Sequence, residues 1–210
     1  MKALLFDFDG TLADTMPAHF EAWKKAFAEE KIVLLPEEYY PLEGMKVQEV
    51  ARILSEKHAL PENYIQNLVK CKEIFFKQAV TTVSFYPGAY ELLSLLRKQN
   101  YKLALVTAAQ RTRLEETTPL SFLALFDTII TGDDVTEGKP SPEPYTLALT
   151  RLSLTPQEAI VIENAPLGIS SARAAGIYCV AISSTVAPEK LTEAQVIVPT
   201  LQSVYSALFP

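Results

Sequence analysis

The sequence predicts an α/β protein: a parallel sheet flanked by helices, interrupted by an all-helical insertion. Three observations carry this. Short apolar runs recur at Ala3–Phe6, Lys102–Val106, Thr128–Thr131, Ala159–Glu163, Tyr178–Ile182 and Val196–Val198, each of a length that suits a strand buried on both faces. Helical patterns lie between the later runs, and strand–helix alternation implies parallel pairing. Between the first and second runs, residues 16–83 show only helical periodicity, a separation far beyond an ordinary crossover.

The elements follow in order. The first strand is Ala3–Phe6. Helices are expected at Pro17–Glu30, Val47–His58 and Pro61–Val80. They define an inserted helical domain, residues 16–83, lying over the C-terminal edge of a sheet formed by residues 1–15 and 84–210. Open α/β sheets bind ligands at that edge. Pro87-Gly88 opens a helix that runs to about Lys98. Ser141-Pro142 opens another, ending near Leu152, with Ser141 as its N-cap. Pro166 starts a third, which Gly176 stops.

Composition narrows the function. The 210 residues are 49% hydrophobic, enough for one good core with a smaller inserted one. The formal net charge of −6 argues against a nucleic-acid partner, which needs a positive footprint. It does not argue against a small anion, because one metal ion or lysine reverses a local field. Cys71 and Cys179 show no metal-ligand spacing, so a reduced, intracellular (cytoplasmic) protein is expected, and a chain of this size is expected to be a monomer. No leader pattern and no membrane span are expected.

The chemistry sits where strands end. "KALLFDFDGTLADT" places Asp7 and Asp9 just past the first strand, and Thr11 completes a D-x-D-x-T pattern. A strand end turning through Asp-Gly is the plain alternative. "YKLALVT" ends in Thr107. "TGDDVTEGKPSPEPY" carries Lys139, and "AIVIEN" ends in Glu163-Asn164. Two carboxylates, a hydroxyl, an ammonium, a third carboxylate and an amide fit a phosphoryl group. Carboxylates hold Mg²⁺; the hydroxyl, the lysine and N–H groups near Gly10 take phosphate oxygens; a carboxylate can itself be the nucleophile.

The stretches "FDFDGTLADT", "LVTAA", "GKPSPEPYTLAL" and "IVIENAPLGISSARAAG" resemble, in order and spacing, the four motifs of the haloacid dehalogenase superfamily. The likeness is to its β-phosphoglucomutase-like phosphatases, and it covers essentially the whole chain. It implies a Rossmann-like core with a helical cap domain and a Mg²⁺-dependent phosphatase acting on a small phosphorylated metabolite, sugar-phosphate-like. Asp7 would be the nucleophile that forms an aspartyl-phosphate. Asp9 would be the general acid and base, and Thr107 and Lys139 would hold the transferring phosphoryl group. Asp7, the Asp9 carbonyl, Glu163 and Asn164 would hold the metal. Gly10, Thr11, His19, Gly44, Lys46, Ala108 and Arg111 are the expected substrate-side residues.

The sequence also departs from that pattern. The subgroup usually reads Glu-Asp where this chain has Glu163-Asn164; an amide oxygen can coordinate but brings no charge, so weaker Mg²⁺ binding is expected. The competing reading is that Asn164 caps the helix at Pro166. "HFEAW" puts His19 and Trp23 one turn apart, to gate Asp9 or to pack at the hinge. Val47 stands where mutases carry an arginine for a second phosphate, which weakens the mutase alternative. Lys46 lies near the position of a Schiff-base lysine in phosphonatases, yet Asp9 favours ester hydrolysis. Arg111 is near the phosphate loop or simply on the surface. Asp14 is expected to be structural, and Asp133 and Asp134 solvated. Two alternatives to a phosphatase remain: a β-phosphoglucomutase-type isomerase and a non-catalytic phosphometabolite-binding protein.

Overall fold

The computed structural model describes residues 1–209. Six parallel strands, β1 (Ala3–Phe6), β2 (Lys102–Val106), β3 (Thr128–Ile130), β4 (Ala159–Glu163), β5 (Tyr178–Ile182) and β6 (Val196–Val198), form one sheet in the order β3-β2-β1-β4-β5-β6. Among the described residues ten α-helices accompany them: α1 (Met16–Ala28), α2 (Pro36–Tyr39), α3 (Val47–Lys57), α4 (Ile65–Ala79), α5 (Ala89–Lys98), α6 (Arg111–Thr117), α7 (Leu120–Leu123), α8 (Glu143–Leu152), α9 (Pro166–Ala174) and α10 (Gln202–Leu208).

β1 lies between β2 and β4, in register Ala3↔Lys102 and Ala3↔Ala159. It is buried throughout because its alternate residues serve two cores. Leu4 and Phe6 join α5 residues Leu92, Leu93 and Leu96 on one face; Ala3 and Leu5 join Tyr145, Ala148 and Ile169 of α8 and α9 on the other. The chain winds outward from β1 to β3, then returns to β4 and winds the other way. The switch point is the crevice beyond the ends of β1 and β4. Asp7 and Glu163 border it.

The helices from α1 to α4 have a core of their own. Met16, Phe20, Trp23 and Phe27 of α1 recur at helical spacing and pack with Val50, Ala51 and Leu54 of α3 and Leu68 of α4. The chain crosses between the two cores beside Ala13, whose backbone bridges both Asp9 and Phe85.

Local details differ from the sequence reading. Ser141 is not the N-cap of α8; Pro142 is, and the Ser141 Oγ accepts from the Glu143 N–H at 3.2 Å. α4 starts at Ile65, after a 3₁₀ turn over Glu62–Tyr64. The short helices α2, α6, α7 and α10 escape a periodicity reading because none exceeds two turns. Asp134 is not merely solvated. It accepts from the Thr131 backbone and hydroxyl and pairs with Arg111 and Arg151, and it is held well below the usual carboxylate range. Asp14 is exposed and accepts from the Tyr86 hydroxyl at 3.3 Å.

Candidate active site

The site is assembled from four strand ends and the helical layer above them. Asp7 follows β1, and its N–H bonds the Ile162 carbonyl of β4 at 3.0 Å. Lys139, from the loop after β3, donates to Asp7 Oδ1 at 2.6 Å, to Glu163 Oε1 at 2.6 Å and to the Val106 carbonyl at 3.2 Å. Burial disfavours its charge, but Asp7 and Glu163 outweigh burial and keep Lys139 protonated. Burial also outweighs Lys139 at Asp7, whose carboxyl is raised to about 7.

Glu163 holds Lys139 rather than facing the cavity. Oε1 accepts from Lys139 and the Tyr145 hydroxyl; Oε2 accepts from the backbone N–H groups of Asn164 and Ala165. Gly168 makes room for this carboxylate, since a Cβ there would lie 1.7 Å from Oε1. With both oxygens taken by protein donors, Glu163 does not match the expected direct metal ligand. Its arrangement makes it the anchor of Lys139.

Asn164 does not cap α9. It is fully buried, its Oδ1 accepting from the Thr11 hydroxyl at 2.8 Å. Its amide donates to Thr185 at 2.9 Å and to the Glu43 Oε2 at 3.2 Å. Thr11 is thereby turned to Asn164. Gly10 has φ +88°, and a Cβ there would lie 2.3 Å from the Asn164 amide, so both backbone freedom and close approach require glycine. Of the N–H groups near Gly10 expected to serve phosphate, those of Gly10 and Thr11 bond the Ala13 and Phe8 carbonyls. Among the described residues, the N–H groups of Asp9 and Ala108 have no protein acceptor.

Asp9 faces the helical layer. Oδ1 accepts from Thr15 at 2.6 Å, and Oδ2 pairs with Arg113 of α6 at 3.0 Å. Burial alone would raise this carboxyl, but the Arg113 guanidinium holds it well below the usual range. His19 Nε2 lies 3.1 Å from Arg113 and 3.3 Å from Asp9. Arginine can only donate, so Nε2 accepts from it and the ring proton sits on Nδ1. Burial, together with Lys72, lowers His19 to about 4 and keeps it neutral. The ring stacks on Phe76 at 4.1 Å, so His19 both adjoins Asp9 and packs at the hinge.

These groups border a cavity of about 60 Å³ lined by Asp7, Asp9, Thr107, Ala108 and Arg113 below, and by His19, Trp23, Tyr39, Gly44, Val47 and Lys72 above. The Thr107 Oγ accepts from the Ala109 N–H at 3.1 Å. Gly44 approaches the Lys139 stem, its notional Cβ 3.6 Å from Cδ. Of the expected substrate-side residues, Gly10, Thr11, Lys46 and Arg111 do not line it. Lys46 donates to the Val135 and Thr136 carbonyls, and Arg111 pairs with Asp134. Glu43, Arg113, Lys72 and Tyr145 were not anticipated. Arg113 carried the one available hint, as a second basic residue on the helix after Thr107.

The donor set fits Mg²⁺. Asp7 keeps Oδ2 without a protein partner, and the buried Oε1 of Glu43 is an orphaned acceptor in the same crevice. Mg²⁺ needs few protein oxygens and keeps several waters. Together these groups can hold a phosphoryl group between a buried carboxylate and a buried ammonium, with a second carboxylate within the same cavity.

Comparison with known proteins agrees with this geometry. The family model "Haloacid dehalogenase-like hydrolase" matches residues 4–182. The chain is 35% identical over 97% of its length to a validoxylamine A 7′-phosphate phosphatase of Streptomyces hygroscopicus, covering 95% of that protein. It is 34% identical to a phosphorylated carbohydrates phosphatase of Thermotoga maritima, over 84% of this chain and 82% of that one. A crystal structure of β-phosphoglucomutase from Clostridium difficile, 24% identical, shares the fold with a TM-score of 0.86 over 99% of this chain and 95% of that one. Motif order, sheet topology and these relatives agree that the chain belongs to the haloacid dehalogenase-like hydrolases, in their β-phosphoglucomutase-like branch, and is a phosphohydrolase.

Proposed function

We propose that the protein is a Mg²⁺-dependent phosphatase that hydrolyses a small phosphorylated carbohydrate through an aspartyl-phosphate on Asp7. The observation that carries this reading is the buried Asp7–Lys139–Glu163 chain beside the closed cavity. Asp7 Oδ2 attacks phosphorus as the bond to the leaving oxygen breaks, and that oxygen takes a proton from Asp9. Water then attacks the aspartyl-phosphate, with Asp9 accepting its proton, and inorganic phosphate leaves. Thr107 and the N–H groups of Asp9 and Ala108 are suited to the transferring oxygens, and Lys139, bonded to Asp7, Glu163 and the Val106 carbonyl, offsets charge from behind Asp7. Mg²⁺, held by Asp7, the Asp9 carbonyl and Asn164, would neutralise charge between nucleophile and substrate. Arg113 keeps Asp9 ionised, as base catalysis requires. The acid role requires Asp9 to leave Arg113 and bind a proton before the first step.

The cap role of residues 16–83 follows from size. The cavity of about 60 Å³ beneath these helices is smaller than a sugar phosphate, which supports a cap that opens to admit substrate and closes over it for chemistry. In this reading the protein acts as a monomer in a reducing cytoplasm, where Cys71 and Cys179 stay free thiols. No helix among the described residues is long and apolar enough to cross a membrane. The printed names of two relatives support a carbohydrate phosphate as substrate.

The test is phosphate release from a panel of sugar phosphates, phosphoglycolate and an aryl phosphate, with Mg²⁺ and with chelator. Metal-dependent release with one preferred sugar phosphate is expected. Interconversion of glucose phosphates on adding a bisphosphate primer, without release, would replace hydrolysis by the mutase reaction.

A further inference from the structure

Glu43 enters the site from the helical side, on the loop before α3, and is 2% exposed. Its Oε2 accepts from Thr185 at 2.8 Å and from the Asn164 amide at 3.2 Å. Its Oε1 is buried and receives nothing. An unpaired buried acceptor is costly, and more so on a carboxylate. No protein cation answers it. The three protons of Lys139 go to Asp7, Glu163 and the Val106 carbonyl, and Lys46 is spent on two other carbonyls.

The residue at 164 makes sense of this. An aspartate there would set two carboxylates about as far apart as the 3.2 Å that now separates amide and Glu43 Oε2. The asparagine instead donates to Glu43. Position 43, on the other side of the same crevice, thus offers the carboxyl group that position 164 lacks. Asp7 and Glu43 each keep one oxygen without a protein partner, that of Glu43 fully buried, and such oxygens are what a divalent cation takes.

We propose that Glu43 is a Mg²⁺ ligand carried by the helical cap, standing in for the carboxylate that Asn164 lacks; this rests on the Mg²⁺ reading of the site. The metal is then gripped from both sides, by Asp7 and the Asp9 carbonyl from the sheet and by Glu43 from the cap. Metal binding and cap closure become one linked equilibrium, with Mg²⁺ favouring the closed form and the open form holding it weakly. The rival explanation is a plain hydrogen-bonded latch, in which Glu43 only ties the cap to Asn164 and Thr185.

Charge separates the two. Glu43→Gln keeps the size and an acceptor for the latch but removes the charge. Calorimetric titration with MgCl₂, without substrate, should show Kd weakened about tenfold or more in Glu43→Gln. Moving the charge back, in the double variant Glu43→Gln/Asn164→Asp, should restore it. Small-angle scattering should show Mg²⁺ compacting the wild type but not Glu43→Gln. Glu43→Asp, which retains the charge with a shorter reach, is the second variant should Glu43→Gln melt too low, and it too should weaken binding. Unchanged Mg²⁺ affinity in a folded Glu43 variant overturns the proposal while leaving the metal reading intact. No Mg²⁺ binding by the wild type removes both.

Discussion

Replacing Arg113 by methionine tests how the site sets the state of Asp9. Arg113 is 6% exposed and bonds Asp9 at 3.0 Å and His19 at 3.1 Å. Methionine keeps much of the packing volume and removes the charge. Asp9 is then left with Thr15 and with His19, whose Nε2 lies 3.3 Å away, in a site whose burial already opposes ionisation. Breaking a buried pair in this way costs about 3–5 kcal/mol, or about 6–20 °C in Tm for a chain of this length. The pH dependence has a definite sign. A carboxyl whose folded pKa is depressed contributes stability that is fully present above its unfolded value of about 4 and is lost as pH falls through the folded value. The gap in melting temperature between wild type and variant should therefore be widest near neutral pH and narrow in acid. In activity, kcat/KM reports the first step, for which Asp9 must carry a proton, so its alkaline limb should move to higher pH as Asp9 becomes easier to protonate. Arg113→Lys, which keeps the charge without the fork, should fall between the two. A gap below about 1 kcal/mol, or an unmoved alkaline limb, would refute the assignment of Arg113 as the group that holds Asp9 ionised.

Asp7→Asn should abolish phosphate release in a folded protein. Because Asp7 is raised to about 7 in the fold, the unfolded chain binds fewer protons between about pH 4 and that value, and wild-type stability without metal falls as pH rises through the window. Urea titrations should show a smaller fall in the variant. Gly168→Ala should drive a methyl into the Glu163 carboxylate, cost about 3–5 kcal/mol by displacing it from Lys139 and Tyr145, and cut turnover more than Leu149→Ala at equal stability. Lys72, buried and close to Arg113, titrates at about 8, so the unfolded chain binds more protons from there to about 10.4. Wild-type stability should rise with pH across that window, and Lys72→Met should flatten the rise.

Much of the architecture was readable because it is written locally. The runs Ala3–Phe6, Ala159–Glu163 and Tyr178–Ile182 coincide with strands because a strand buried on both faces needs unbroken apolar residues. Once those strands are parallel, their C-terminal ends share one edge, and Asp7, Thr107, Lys139 and Glu163 arrive there together whatever the loops do. Short helices such as α6 carry too few turns to display a period.

What the sequence by itself determined was therefore the sheet, its edge and the types of group delivered to that edge. Which group bonds which was decided only by the tertiary structure. Arg113 meets Asp9 across 104 residues of sequence, and Asn164 meets Glu43 across 121. Glu163 turns inward to Lys139 because Gly168 leaves room for it, while Lys46 and Arg111 are drawn off to the loop after β3. A charged side chain in a closed interior takes the partner that packing leaves within reach. That choice depends on the three-dimensional neighbourhood and leaves no periodic trace along the chain.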